Sequence, residues 1–305
     1  MKFMYPTQIL VIVMLILGAV FTVFFIRDVI ANKDEKVTGD EGKEIKGNVV
    51  ISAIIGFVTN FFDTLGIGSF APTTFAFKAT KVVDIGVTPG TLNVAHTLPV
   101  VFMAWLYIGY VEVDFLTLAS LIGASVIGAW LGAGVVAKFD RNRIQLIMGV
   151  ALIIVAAVMA GRNLGIIGWL PPGEGTLGLT GVNLVVGIVG FFILGALMTA
   201  GVGLYSPAMA LVFLLGLAQP AAFPIMMGAC AFLMSVAGVR FVKEGKYARK
   251  QSLAIALAGV PGVFVAFQFF RGVFAMGMLI WLVVVVVTIT GLMMISSYFK
   301  SKKQS

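Results

Sequence analysis

Charge is what this sequence has least of. Asp, Glu, Lys and Arg make up 11% of its 305 residues, apolar side chains make up 60%, and the mean hydropathy is +1.08. A soluble domain needs about a quarter of its residues charged to coat its surface. A soluble enzyme is therefore excluded, and lipid must cover most of what the chain exposes. Histidine and cysteine occur once each, as His96 and Cys230. One cysteine allows no disulfide framework, and a lone histidine makes no metal site. Neither a metal nor a cofactor is expected. The chain has no Ser/His/Asp set, no His-Glu-x-x-His and no paired intramembrane carboxylates, the positioned groups that catalysis requires. It is read as a non-enzyme. The net charge of +8 lies in short loops between apolar spans, as the charges of cytoplasmic loops do. It does not form a nucleic-acid-binding face.

Apolar runs and glycine are abundant. The 36 glycines suit membrane helices. Residues 9–26 carry no charge and end without a small-x-small cleavage site, so they read as a retained membrane helix and not as a signal peptide. A mixed-charge stretch, 27–46, reads as a solvated linker. Further spans are expected at 85–111, 115–137, 144–160, 217–239, 252–270 and 273–298. Each is long enough to cross ~30 Å of hydrocarbon at ~1.5 Å per residue, given some tilt or flanking residues.

Two apolar segments are interrupted. Residues 49–77 break at Asp63-Thr-Leu-Gly-Ile-Gly68, and 182–216 break at Thr199-Ala-Gly-Val-Gly203. The breaks are related. Thr64-Leu-Gly-Ile-Gly-Ser-Phe-Ala-Pro72 matches Thr199-Ala-Gly-Val-Gly-Leu-Tyr-Ser-Pro207 at one constant offset. Pro89 and Pro224 keep that offset, and Gly123 and Gly259 depart from it by a single position. The chain is therefore an internal duplication.

Charge sets the relative orientation of the copies. The loop at Glu112 and Asp114 has no Lys or Arg, whereas its counterpart carries Arg240, Lys243, Lys246, Arg249 and Lys250. Equivalent loops of opposite character belong on opposite sides of the membrane. If each broken segment enters and returns, 18 of the 21 basic residues fall on one side and 3 on the other. Full crossing gives only 14 against 7. The expectation is an all-α polytopic membrane protein with an N-terminal helix and two inverted repeats. Each repeat is a broken re-entrant hairpin followed by three transmembrane helices. The divisions are 1–46 (helix and charged cytoplasmic loop), 47–161 (first repeat), 162–181 (linker), 182–298 (second repeat) and 299–305 (tail). The N-terminus lies outside and the C-terminus in the cytoplasm.

Inverted repeats with interrupted helices point to a transporter site near the midplane. Backbone left unpaired in hydrocarbon persists only where protein or a polar cavity satisfies it. At each break two glycines free N–H groups for close approach, and a proline follows where it suits the first turn of a new helix. Helix starts favour anions, so a small oxyanion is expected between the two tips. The candidate contacts are Asn60, Thr64, Gly66, Gly68, Ser69, Thr91, Asn93, Thr199, Gly201, Gly203, Tyr205 and Ser206, with Thr73 and Thr74 nearby. Asp63 and His96 are candidates for proton coupling. Asp63 has an alternative role as a helix cap, and His96 as a hydrogen-bonded core residue. The expected partners are a small anion and the bilayer, and a homo-oligomer is compatible with the composition.

Gly66-Ile-Gly-Ser-Phe-Ala-Pro, Asp84-Ile-Gly-Val-Thr-Pro-Gly-Thr91, Val113-Asp-Phe115 and Gly123-x4-Gly128-Ala-x2-Gly132 together resemble the TauE/SafE sulfite exporter family. The resemblance runs over roughly 47–298. It implies transport of sulfite, a sulfonate or a related small anion across a bacterial inner membrane. The alternatives are an anion channel of the same fold or, less in keeping with the residues, a membrane-embedded enzyme.

Overall fold

The computed structural model describes residues 4–32, 47–84, 86–136, 141–166, 176–199, 204–275 and 278–302. Among them it forms α1 (Met4–Ala31), α2 (Val49–Thr64), α3 (Phe70–Thr80), α4 (Thr88–Tyr110), α5 (Phe115–Val136) and α6 (Arg141–Asn163). The second half forms α7 (Gly181–Thr199), α8 (Tyr205–Leu214), a 3-10 turn (Gln219–Ala221), α9 (Ala222–Glu244), α10 (Arg249–Ala275) and α11 (Leu279–Lys302). Seven of these helices are long and apolar enough to cross a membrane. The fold is all-α and polytopic.

Both breaks fall where the repeat motif puts them. α2 ends at Thr64 and α7 at Thr199, and α3 begins at Phe70 and α8 at Tyr205, so both boundaries keep the offset of the motif. Other boundaries differ from the sequence reading for local reasons. α4 begins at Thr88 and not at 85, because the Asp84 carboxylate accepts the Gly86 N–H at 2.7 Å and turns the chain first. α9 begins at Ala222 and not at 217, after Pro220 has set the 3-10 turn. α10 runs through Arg271 to Ala275, where a gap was expected. The Arg271 guanidinium lies 5.4 Å from the Tyr110 ring centroid, so the charge finds a partner without breaking the helix.

The halves of each broken segment are short. α2 spans about 24 Å, α3 about 16 Å and α8 about 15 Å, against ~30 Å of hydrocarbon. α7, at about 28 Å, is long enough to count among the seven candidate spans. The two ends of each segment meet. Before α7, Thr176 pairs with the residues after α8: its N–H donates to Gly216 O at 3.2 Å, and its carbonyl accepts from Ala218 N at 3.0 Å. Before α2, Gly47 lies against Val82 O, just past α3. Both segments are therefore helical hairpins. Lys81 and Gly216, at matching places in the two repeats, turn the chain out of them in left-handed conformations, φ 55° and 78°.

Two compact units pack these helices, and neither is one repeat. Unit 1 comprises Met1–Thr64, Gly68–Leu106 and Cys230–Gln268, and unit 2 comprises Leu65–Ile67, Tyr107–Ala229 and Phe269–Ser305. In unit 1 the first hairpin packs on α10. A Cβ on Gly262 would strike Phe57 O, and one on Gly56 would strike the Ile255 backbone. In unit 2 the second hairpin packs on α5, where a Cβ on Gly128 would strike Phe192 O and one on Gly195 would strike Ser125 O. Phe57 and Phe192 are equivalent under the repeat offset, so the same contact recurs with the repeats exchanged. Small residues let membrane helices touch backbone to backbone. Unit 2 is further built by α6 on α11, through Gly149 and Gly291, and by the stacked rings of Tyr107 and Phe223 with Phe270 against both.

Candidate functional site

The first break is made by two left-handed glycines, Gly66 (φ 97°) and Gly68 (φ 89°). Other residues adopt this conformation only at a cost. A Cβ on Gly68 would meet nothing within 4 Å, so its backbone borders open space. Within unit 2, Gly66 lies against the methyl groups of Met209 and Met226.

In unit 1 the hairpin carries a chain of buried polar groups. Asn60 Nδ2 donates to Gly56 O at 2.7 Å, so its Oδ1 is the atom facing His96 Nδ1 at 3.0 Å. In the neutral ring this contact places the proton on Nδ1. Nε2 is then the acceptor for the Thr73 hydroxyl at 3.1 Å. The chain joins α2, α4 and α3, and all three residues are fully buried. Asn60 also rests on Gly259 of α10 and beside Pro99. Thr64 returns its hydroxyl to Asn60 O at 2.7 Å.

Asp63 lies about one turn further along α2 and is also buried. Its carboxyl faces the hydroxyl and backbone N–H of Ser69, the residue that opens α3. Its Oδ2 has no hydrogen-bond partner among the described residues. No hydrogen bond joins it to His96, whose two ring nitrogens are engaged by Asn60 and Thr73.

At the second break Tyr205 and Ser206 open α8 and are buried, and the Ser206 hydroxyl has no partner among the described residues. Thr199 closes α7, and its side chain, with Gly201 and Gly203, lies outside the described residues. The matching polar positions of the first repeat are Asn60, Asp63, Ser69, Thr73 and His96. They are occupied here by Gly195, Met198, Leu204, Ala208 and Ala231.

Two candidates on α4 point elsewhere. The Thr91 hydroxyl accepts the Ala248 N–H at 2.9 Å and donates to Val87 O. Asn93 donates to Pro89 O on its own helix. Thr91 thus belongs to a strap at the α9–α10 loop that the sequence reading did not single out. Asp28 of α1 accepts from the Tyr247 hydroxyl, from Arg249 Nε at 2.7 Å and from Asn32 Nδ2 at 2.9 Å. Burial and the Asp28 carboxylate push the Tyr247 hydroxyl above its ordinary range, so it remains a donor. The signal for the strap was an acid near the end of an apolar helix with a cluster of basic residues far along the chain. Only the fold pairs them.

Duplicated helix breaks in a polytopic bundle, with buried polar groups at each, define the class: a multi-pass α-helical membrane protein built like a secondary transporter. The chain matches the family model described as Sulfite exporter TauE/SafE over residues 3–159, slightly more than half its length, and belongs to that family. The match takes in α1, which the motif resemblance over 47–298 left out, and stops within α6. No curated protein and no solved structure matches the chain.

Proposed function

We propose that this protein is a secondary transporter of a small sulfur-containing anion, sulfite or a sulfonate or related oxyanion. It works by alternating access in the inner membrane, with its N-terminus outside and its C-terminus in the cytoplasm. The observation that carries the reading is that both broken segments are hairpins whose ends meet. A segment that returns to its starting side leaves each repeat with three crossings, an odd number, and so supports inverted repeats. The same arrangement supports the 18-to-3 division of basic residues.

α3 and α8 each begin at a break, where a helix start favours an anion by ~0.3–1 kcal/mol, up to ~2 when partly buried. Family membership supports a sulfite-type substrate. Asp63 is the proposed proton-coupling group, because it is buried at a break with one carboxylate oxygen unpartnered among the described residues. The test is counterflow in proteoliposomes. Unlabelled sulfite inside should drive transient uptake of labelled sulfite above equilibrium. A flux that only dissipates the gradient would identify a channel and overturn the reading.

A further inference from the structure

The two helix starts differ in chemistry. At α3 the position is already taken, because the Asp63 carboxyl faces the N–H and hydroxyl of Ser69. An anion arriving there would meet that carboxyl. At α8 the residue in the place of Asp63 is Met198, and Ser206 stands where the first repeat has Ala71. Ser206 is 1% exposed and its hydroxyl has no partner among the described residues. Buried hydroxyls are normally satisfied, and one that is not marks a place for another group.

Ser206 is the second residue of a ten-residue helix. Cα–Cβ bonds tilt toward a helix N-terminus, so its hydroxyl lies at the positive end of α8. The first backbone bond of α8 runs from Ala208 N to Leu204 O at 2.9 Å, and Pro207 has no N–H. The Ser206 N–H therefore has no acceptor within the helix. Hydroxyl and N–H together form a donor pair suited to one oxygen-rich anion.

We propose that the transported oxyanion is held at the start of α8, on the hydroxyl and N–H of Ser206, and that the start of α3, filled by Asp63, does not hold it. This assignment rests on the transport reading above. It divides the labour of the duplicated hairpins, with the anion at the second and the coupling carboxyl at the first.

The test is titration of the purified full-length chain in detergent with sulfite as the only probe, followed by calorimetry. One sulfite per chain is expected. Ser206→Ala should weaken binding roughly ten- to a hundredfold, the loss of one hydrogen bond to a charged group. Ser206→Thr, which keeps the hydroxyl, should restore most of it, and it serves as the second variant if the alanine form is unstable. Ala71→Ser, which gives α3 the hydroxyl of α8, should change neither affinity nor stoichiometry. Undiminished binding by a folded Ser206→Ala protein, or a second sulfite gained by Ala71→Ser, overturns the assignment and leaves the transport reading standing. Failure of the unmodified chain to bind sulfite overturns the substrate reading, and the assignment falls with it.

Discussion

Gly123 and Gly259 lie on the helices that pack on the two hairpins, α5 and α10, yet replacing each by alanine should have opposite effects. A Cβ on Gly259 would lie 2.5 Å from Asn60 Nδ2, 2.9 Å from Asn60 Cγ and 2.7 Å from Pro99 Cγ. None of these is the loose end of a long side chain. Asn60 is held by Gly56 O and His96, and Pro99 is a ring within α4. Overpacking of this kind costs about 1–3 kcal/mol. If Asn60 swings away to make room, His96 Nδ1 loses its acceptor, a buried unmet donor costing about 1–3 kcal/mol. Against this stands the helix-propensity gain of ~1 kcal/mol for Gly→Ala. By either route the net is a destabilisation of up to about 2 kcal/mol. A Cβ on Gly123 meets nothing within 4 Å, so only the gain of up to ~1 kcal/mol remains. Thermal unfolding in detergent should place Gly259→Ala below the unmodified protein and Gly123→Ala at or above it. Truncating Asn60 to alanine should remove most of the added cost of Gly259→Ala, since the two side chains share the space. A Gly259→Ala protein that melts with or above the unmodified chain refutes the packing argument.

Gly128→Ala and Gly262→Ala should each cost about 1–3 kcal/mol in the same melts, since each new methyl meets a main-chain carbonyl; an unchanged melt for either removes the close contact. Arg249 and Asp28 are 12% and 18% exposed, between surface and buried pairs, so Arg249→Ala should cost about 1–3 kcal/mol. The raised Tyr247 hydroxyl adds stability that is fully present below the ordinary tyrosine range near pH 10 and is lost as pH rises through its folded value. Tyr247→Phe should therefore flatten the alkaline fall in melting temperature, and an unaltered fall would discount the strap. On a background lacking Cys230, cysteines at 112 should label from outside and those at 141 and 246 from the cytoplasm; 112 and 246 on one face would rule out inverted repeats. Asp63→Asn should abolish accumulation driven by a pH gradient while anion counterflow persists. Retained accumulation would leave Asp63 as a cap of α3 only.

Some of this was settled by sequence. An 11% charge content cannot coat a soluble surface, so the membrane class follows from composition. The two Thr-x-Gly-x-Gly breaks at one offset placed α2, α3, α7 and α8 to within a few residues, because glycine and proline act on local backbone geometry. Helix ends were less legible. α10 continues past Arg271, whose guanidinium meets Tyr110, a residue of the other repeat and far away in the chain.

What only the tertiary structure decided is which residues meet. The sequence suggested two repeats as two bodies, but each hairpin packs on the second long helix of the other repeat, Gly262 on Phe57 and Gly128 on Phe192. The repeat pattern carries no sign of that exchange, because glycine spacing marks a close contact without naming the partner. The same holds for the polar groups. Thr91, Asn93 and His96 share a helix in sequence, yet Thr91 bonds the α9–α10 loop, Asn93 its own backbone and His96 the first hairpin. Composition fixes the solvent a chain must live in and local motifs fix where helices break. A hydrogen bond between α2 and α4, or an ion pair between α1 and α10, exists only after distant segments have been brought together by packing.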